Sequence, residues 1–348
     1  MKTAIAIDSL LLRDDSVFLL EMILNLFPNS EIYTIAHRRG SILGPIETRP
    51  IVSSFLTHKA KDSTVFKKNF WIMPSAVKAV PIHKSIEKII IISRGFIHGL
   101  NLPQNVDKYL YILDWGLVDQ EHLGWQKFFM PYVNEWREKA LTKYLKIAVS
   151  SETLKSKLEL PNADVIYPTY KTEEYPFVRD EDHHFIFTHQ LVYTHDLTLE
   201  EFRKLISFLD SKGETVRILG PDSHLESIKK EFSKVEFGGD HCDATNALYS
   251  HQAKAVWDFS RSLFPSKSFG ALATGRPVIV RNEAFRREFL TEGAYFLTDF
   301  HLNSLLNVYK DVEENYLNFD RKKLRRLGLK WNERLFKAKM AKFLNKLN

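Results

Sequence analysis

The stretch Phe264–Val280, FPSKSFGALATGRPVIV, holds the residues whose types and spacing could do the most chemistry. Pro265 precedes a short helix that carries small residues on its packing face, ends at Gly275 and feeds Pro277 into an apolar strand. The first turn of such a helix leaves backbone amides unpaired, which attract anions, and Ser266, Lys267 and Ser268 stand there as further donors beside a phosphate. The same pattern also describes a capped helix packed on a sheet. Two other clusters look metal-like on paper. His183, His184 and His189 lie near Glu181 and Asp182, but linker and strand do not hold ligands at a fixed tetrahedral spacing, so these read as a solvated linker. Asp240-His241-Cys242-Asp243 precedes a helix around Ala247–Tyr249, where Asp243 or Thr245 serves as an N-cap. Gly238-Gly239 reads as a turn in a loop. No metal and no cofactor is expected.

The elements that must position these residues follow from periodicity. Thr3–Ile7, Glu31–Ile35, Lys88–Ile92, Tyr109–Leu113, Lys146–Ser150 and Asp164–Tyr167 are short, β-branched or aromatic runs that read as strands. Amphipathic stretches such as Val17–Phe27 lie between several of them, which predicts a parallel sheet covered by helices. The alternation pauses at residues 167–184, rich in Pro and charge. It resumes with strands at Phe185–Thr188, Thr215–Leu219, Ala255–Phe259 and Pro277–Val280, and with helices at Leu199–Leu209, near Leu225–Phe232 and at Ser266–Ala273. Beyond Phe300 only helices are expected. The prediction is an α/β chain of two doubly wound Rossmann-type domains: residues 1–170, a linker at 171–184, residues 185–320, and a basic C-terminal helix at 321–348 that returns to the first domain. A ligand is expected between them, at the carboxyl ends of the strands.

Composition bounds the function. At 348 residues, 44% apolar and 26% charged, the chain is globular and too long for one core. Its single cysteine, Cys242, rules out an internal disulfide framework and a multi-thiolate zinc site, and fits a reducing cytoplasm. The N-terminal apolar stretch is cut by Asp8, Arg13, Asp14 and Asp15, so it lacks the core of a signal peptide, and no stretch is long enough for a membrane span. Charge is asymmetric: residues 321–348 hold eleven Lys or Arg against Glu333 alone, a net +10, whereas the other 320 residues carry −4. That distribution argues against nucleic acid as a partner and points to one local basic surface. Residues 331–347 place Trp331, Leu335, Phe336, Met340, Phe343, Leu344 and Leu347 on one stripe, which either braces the first domain or faces an anionic membrane surface at the cytoplasmic side.

Phe264, Ala271, Ala273, Gly275, Pro277, Val278 and Ile279 follow the pattern E-x-F-G-x-x-x-x-E-A-x-A-x-G-x-P-V-I, and here the chain resembles the family 4 retaining glycosyltransferases of the two-domain GT-B fold. Asp8, Leu10, Leu20, Glu21, Phe27, Pro28 and Glu31-Ile32-Tyr33-Thr34 look like the opening of polysaccharide-assembly members. Ser53–Leu56, Met73-Pro74, Val149–Ser151 and Val165–Pro168 are similar to later landmarks, and Trp331, Arg334, Phe336, Phe343 and Leu344 to the returning helix.

The resemblance implies a glycosyltransferase-like protein of cell-surface glycan assembly. It would transfer a sugar from a nucleotide sugar to a glycan or lipid-linked acceptor, with retention and without a metal. It also implies a degenerate donor site. The family's diphosphate-binding Arg and Lys fall on Gln190 and His195, and its two signature glutamates on Ser262 and Gly270. On the acceptor side its Gly-Gly loop falls on Asp14 and Asp15, which would repel a diphosphate, and its histidine lies near His98. Loss of two cationic contacts forfeits about 3–6 kcal/mol, enough to move a micromolar donor toward millimolar. What remains is the anion site at Lys267 and the amides of Ser266–Phe269. The rival reading is a non-catalytic GT-B scaffold that works through protein or glycan partners.

Overall fold

The computed structural model describes residues 2–42, 44–60, 64–116, 124–144, 146–175, 189–192, 197–219, 230–239, 249–260, 264–315 and 318–345. The chain divides into two units, one of Met1–Pro168 with Arg334–Asn348 and one of Thr169–Glu333.

The first unit is built on seven parallel strands: β1 Thr3–Leu10, β2 Glu31–His37, β3 Ile51–Ser53, β4 Lys88–Ser93, β5 Asp107–Ile112, β6 Lys146–Val149 and β7 Asp164–Val165, in the order β3-β2-β1-β4-β5-β6-β7. Strands covered on both faces must be apolar throughout, and Ala4–Ile7 and Ile89–Ile92 are wholly buried. The second unit has six: β8 His189–Val192, β9 Val216–Leu219, β10 Val235–Gly239, β11 Ala255–Asp258, β12 Val278–Arg281 and β13 Ala294–Leu297, also parallel, in the order β10-β9-β8-β11-β12-β13. The strand order reverses direction between β1 and β4 in the first sheet and between β8 and β11 in the second. These reversals open the crevices where doubly wound sheets take ligands.

Local sequence sets the helices. The Asp14 carboxylate accepts from the Ser16 and Val17 amides at 3.0 and 3.1 Å and starts the helix Asp15–Leu26, which Phe27 and Pro28 end. Thr198 and Glu201 form a reciprocal capping box that starts Leu199–Ser211. The helix Ser266–Ala273 keeps the bounds its sequence predicts, and beyond Phe300 every regular element among the described residues is a helix.

Several expectations need correction. β3, β10 and β13 were not legible as strands. Gly238 and Gly239 do not make a loop turn; they end β10, which pairs with β9 through a register shift between Phe237 and Gly239, an irregularity that glycine tolerates. The expected strand at Phe185–Thr188 and most of the expected helix near Leu225–Phe232 lie outside the described residues. The stretch expected as one helix over 331–347 starts later: Arg321–Leu329 is a helix of the second unit, and Glu333–Phe343 is a separate one that belongs, from Arg334 on, to the first.

In the first unit that last helix buries Phe336, Met340 and Phe343 in the core formed by β1, β4 and β5 and the Asp15–Leu26 helix. Phe336 lies 6.2 Å from the Tyr111 ring and Phe343 5.8 Å from Tyr109, centre to centre. The buried Lys88 ammonium donates to the Leu344 carbonyl at 2.9 Å and lies over the Tyr109 ring, which satisfies the helix end. Apolar burial therefore fixes this helix, and its lysines are the face left over. Phe336→Ala should cost the first unit about 3–5 kcal/mol, the usual range for emptying a buried aromatic site, whereas Lys337→Gln should change stability little. Urea denaturation of both variants checks this, and equal midpoints would refute a bracing role.

Candidate functional site

In the first unit the site grows from Asp8, buried near the carboxyl end of β1. Its Oδ1 accepts from the amides of Phe96 and Ile97 at 3.0 and 2.9 Å, and its Oδ2 from the Arg94 amide. Burial pushes its carboxyl above the ordinary carboxylate range, against the pull of those amides and of the Arg94 charge. The loop after β4 is thereby wrapped around the end of β1 at the sheet's switch point. Held there, the half-buried Arg94 guanidinium meets Asp14 at 2.9 Å and Asp114 at 3.7 Å. Burial disfavours its charge, but Asp14, Asp114 and Asp8 outweigh it and raise its pKa.

This geometry changes the reading of Asp14. It was expected as a bare negative charge facing a diphosphate; its carboxylate instead caps a helix and pairs with Arg94, so its charge is largely neutralised. Asp15 is the first residue of the same helix and adds a more distant charge to the Arg94 environment.

His98 is likewise corrected. It does not face a ligand site but is fully buried, with Nε2 donating to the Arg137 carbonyl at 3.0 Å and Nδ1 accepting from the Ser93 hydroxyl at 2.9 Å. Its ring lies between those of Trp115 and Trp136, 5.1 and 6.3 Å away. Burial pushes its pKa down to about 3, with Arg137 and Lys143 adding to the fall. Arg137, itself buried and pulled down to about 10, binds the Gly95 carbonyl at 2.7 Å and lies over the Trp115 ring. Gly95 has a φ of +123°, and a Cβ there would strike the Arg137 guanidinium. His98 is a strut of the loop, and the residues it helps place are Arg94 and Trp115.

In the second unit Asp258, fully buried at the carboxyl end of β11, plays the part of Asp8. Its Oδ1 accepts from the Ser260 amide and hydroxyl at 3.1 and 2.7 Å, and its Oδ2 from the Ser268 hydroxyl at 2.7 Å. That last bond sets the start of the Ser266–Ala273 helix beside the end of β11, at the β8/β11 switch point. It also removes Ser268 from the expected phosphate donors, because its hydroxyl is buried and committed. Ser266 and Lys267 remain partly exposed on the first turn. Arg286, a buried cation that sequence reasoning missed, donates to the Ser260 carbonyl and, at 3.2 Å, to its hydroxyl. Its place in FRREF gives no periodic or spacing signal.

Gly270 is not an empty position where a glutamate used to be. A Cβ there would fall 2.1 Å from Cε1 of Tyr175, a buried ring that packs on Tyr170, whose hydroxyl donates to the Phe269 carbonyl at 3.1 Å. Gly328 is similarly constrained: a Cβ would fall 2.5 Å from the Ala273 amide, so the Arg321–Leu329 helix touches this one backbone to backbone. Arg325 completes the lock by donating to the carbonyls of Ala273 and Tyr175 at 2.7 and 3.2 Å. Gln190 lies within β8, paired with Arg217 and Val256, rather than beyond the strand. His195, Ser262 and the Asp240–Asp243 cluster lie outside the described residues, as do His183 and His184.

His189 is not part of a solvated linker. It is the buried first residue of β8, grouped with Glu214 and Glu313 at metal-ligand distances. The donor set does not suit a metal. Nδ1 accepts from the Trp257 indole at 3.1 Å, so the ring proton sits on Nε2, which is directed at Glu214 3.9 Å away, and Glu313 is held by Lys254. Burial pushes His189 down to about 4, with Glu214 pulling against it.

By sequence, the chain matches no known protein family and no curated protein. By structure it matches enzymes of one architecture over their whole length. Sucrose-phosphate synthase from Thermosynechococcus elongatus superimposes with a TM-score of 0.74 at 12% identity, covering 99% of each chain. HepE of Anabaena, solved with UDP, gives 0.67 at 12% identity over 100% of both chains, and a glycosyltransferase from Rickettsia africae 0.63 at 12% over 99% of both. Two parallel doubly wound sheets with a last helix in the first unit are the GT-B fold, and these neighbours share it. Among the described residues, no helix is long and apolar enough to cross a membrane.

Two predictions follow from packing and from charge. Gly270→Glu should lower the melting temperature markedly, because overpacking there has no free space to enter, and Tyr175→Ala combined with it should restore part of the loss. A fully stable single variant would show that Tyr175 does not hold its place. His98 and His189 are neutral when folded but titrate near 6.5 when unfolded, so the unfolded state binds the extra protons. Stability should therefore fall as pH drops from 6.5 toward 4, with a limiting slope of about 1.4 kcal/mol per pH unit for each histidine. Denaturation curves of His98→Gln across that range should lose one share of the slope; an unchanged slope would contradict the buried neutral ring.

Proposed function

We propose that this protein is a glycosyltransferase-like protein of cell-surface glycan assembly, related to the retaining family 4 enzymes, with a degenerate donor site. The observation that carries this reading is the full-length fold match to GT-B enzymes, among them HepE of Anabaena, whose structures hold UDP and UDP-glucose. In this reading residues 185–320 form the donor side, with the Ser266 and Lys267 side chains and the Lys267 and Ser268 amides at the β8/β11 switch point as the anion site; the Ser266 and Phe269 amides are already spent on the carbonyls of Phe264 and Pro265. Residues 1–170 form the acceptor side, with Arg94, Asp14 and Asp114 above the β1/β4 switch point facing a glycan or lipid-linked acceptor. The work is cytoplasmic, at the inner face of a membrane.

If active, the protein transfers its sugar with retention through a phosphate-assisted displacement on the same face. The rival reading, a non-catalytic scaffold of the same fold, is favoured by two observations on one helix. Tyr175 fills the space against Gly270 where the resemblance puts a ribose-binding glutamate, and Ser268 is bound to Asp258.

Thermal stability measured against a panel of uridine, guanosine and adenosine diphosphate sugars tests the donor site. A ligand at 100 times its dissociation constant would stabilise the fold by about 2.7 kcal/mol. We expect little or no shift at neutral pH, and none from Gln190→Arg, because Gln190 is paired within β8 rather than at its carboxyl end. Micromolar binding and sugar transfer by the unaltered protein would overturn the degenerate-site reading and leave an ordinary transferase in its place.

A further inference from the structure

Among the described residues, every large aromatic side chain that is strongly exposed belongs to the first unit and lies between Phe55 and Tyr132. Three of these rings touch: Trp71 lies 6.4 Å from Trp125 and 6.0 Å from Phe129, and Trp125 6.0 Å from Phe129, centre to centre. Trp125 is 61% exposed, Phe128 77% and Tyr132 53%. The short 3-10 helix that carries most of them, Gly124–Phe129, buries none of its residues. A turn of helix that puts Trp, Phe and Phe into water without using any of them for the core is being held for contact with something else.

The charges around it say what. No acidic residue occurs between positions 64 and 86 or between 123 and 134, while Lys68 and Lys127 stand beside the rings in those stretches. Lys68 is exposed three residues before Trp71, and Lys127 sits between Trp125 and Phe128. Aromatic rings with an apolar body beside exposed lysines, with Glu135 on the following helix paired to Lys139, match an interface that is half apolar and negatively charged.

The last helix, Glu333–Phe343, does not offer the same combination, because Phe336, Met340 and Phe343 are spent in the core. Its lysines can attract an anionic surface, but its exposed large apolar side chain is Leu335 alone, with no aromatic ring exposed beside it.

From this juxtaposition we propose that the aromatic cluster of Trp71, Trp125, Phe128 and Phe129 is a docking surface for an anionic lipid bilayer, inserting at headgroup depth while the neighbouring lysines meet the lipid phosphates. This goes beyond the glycosyltransferase reading and holds whether or not the protein transfers a sugar.

The test uses the full chain, without donor or acceptor, and two kinds of vesicle: phosphatidylcholine alone and phosphatidylcholine with phosphatidylglycerol. The unaltered protein should sediment with the anionic vesicles, bind the neutral ones more weakly, and shift its tryptophan emission to the blue on binding. Trp125→Ala with Phe128→Ala should weaken anionic-vesicle binding by about tenfold or more, the equivalent of one buried aromatic ring, with an unchanged melting temperature. Lys337→Gln with Lys342→Gln should weaken it less. Equal binding by the aromatic variant and the unaltered protein would overturn the proposal and leave the basic tail as the anchor. Failure of the unaltered protein to bind anionic vesicles would also overturn it. So would a blue shift produced by a soluble oligosaccharide in the absence of vesicle binding, which would assign the rings to a glycan.

Discussion

Each unit hangs the edge at its sheet's switch point on one buried carboxylate. A charge at the carboxyl end of a parallel strand, cut off from water, is tolerable only if donors are brought to it, and the donors come from the next segment across the switch point. Asp8 gathers the amides of Arg94, Phe96 and Ile97; Asp258 gathers Ser260 and Ser268. Everything described at the two edges follows from those two requirements. Arg94 reaches Asp14 and Asp114 because its own amide is pinned, and the Ser266–Ala273 helix begins where it does because Ser268 is tied down. Losing either carboxylate would orphan several donors at once.

Around these anchors the packing leaves little slack. His98, Arg137, Trp115 and Trp136 form one stack under the loop after β4, and Gly95 and Gly99 are glycine because side chains of that stack fill the space a Cβ would need. In the second unit the Ser266–Ala273 helix is wedged between Tyr175 and the Arg321–Leu329 helix. A phosphate-sized anion at its first turn would meet a fixed frame rather than a loop that closes on it. Binding there would need no rearrangement of the helix and would gain little from one.

Much of this frame was legible in the sequence, because short apolar strands and amphipathic helices announce themselves through local period. The bounds of Ser266–Ala273 and the start of Leu199–Ser211 are written in Pro265, Thr198 and Glu201, all within a few residues of the elements they control. The site was legible only in part. Asp8 and Arg94 are 86 residues apart, and Asp14 and Arg94 80. No spacing rule spans that distance. Gly270 looked like a loss of function because the resemblance compares one residue with one residue, whereas the reason for the glycine is the Tyr175 ring, 95 positions earlier. His98 looked like a ligand because a histidine in a glycine-bounded loop carries no mark of its burial. β3, β10 and β13 are edge or near-edge strands of three to five residues, too short for alternation to emerge.

The discontinuity of the first unit bears on how the chain is made. Its sheet is complete by Val165, but Phe336, Met340 and Phe343, which close one side of its core, come from a segment that follows the whole second unit. During synthesis the N-terminal half therefore leaves the ribosome with an apolar face uncovered and must keep it so while the whole second unit emerges and folds. Of the two units, the one whose translation starts earlier is finished later, and losing Phe336, Met340 and Phe343 would harm strands that lie on the far side of the whole second unit in the chain.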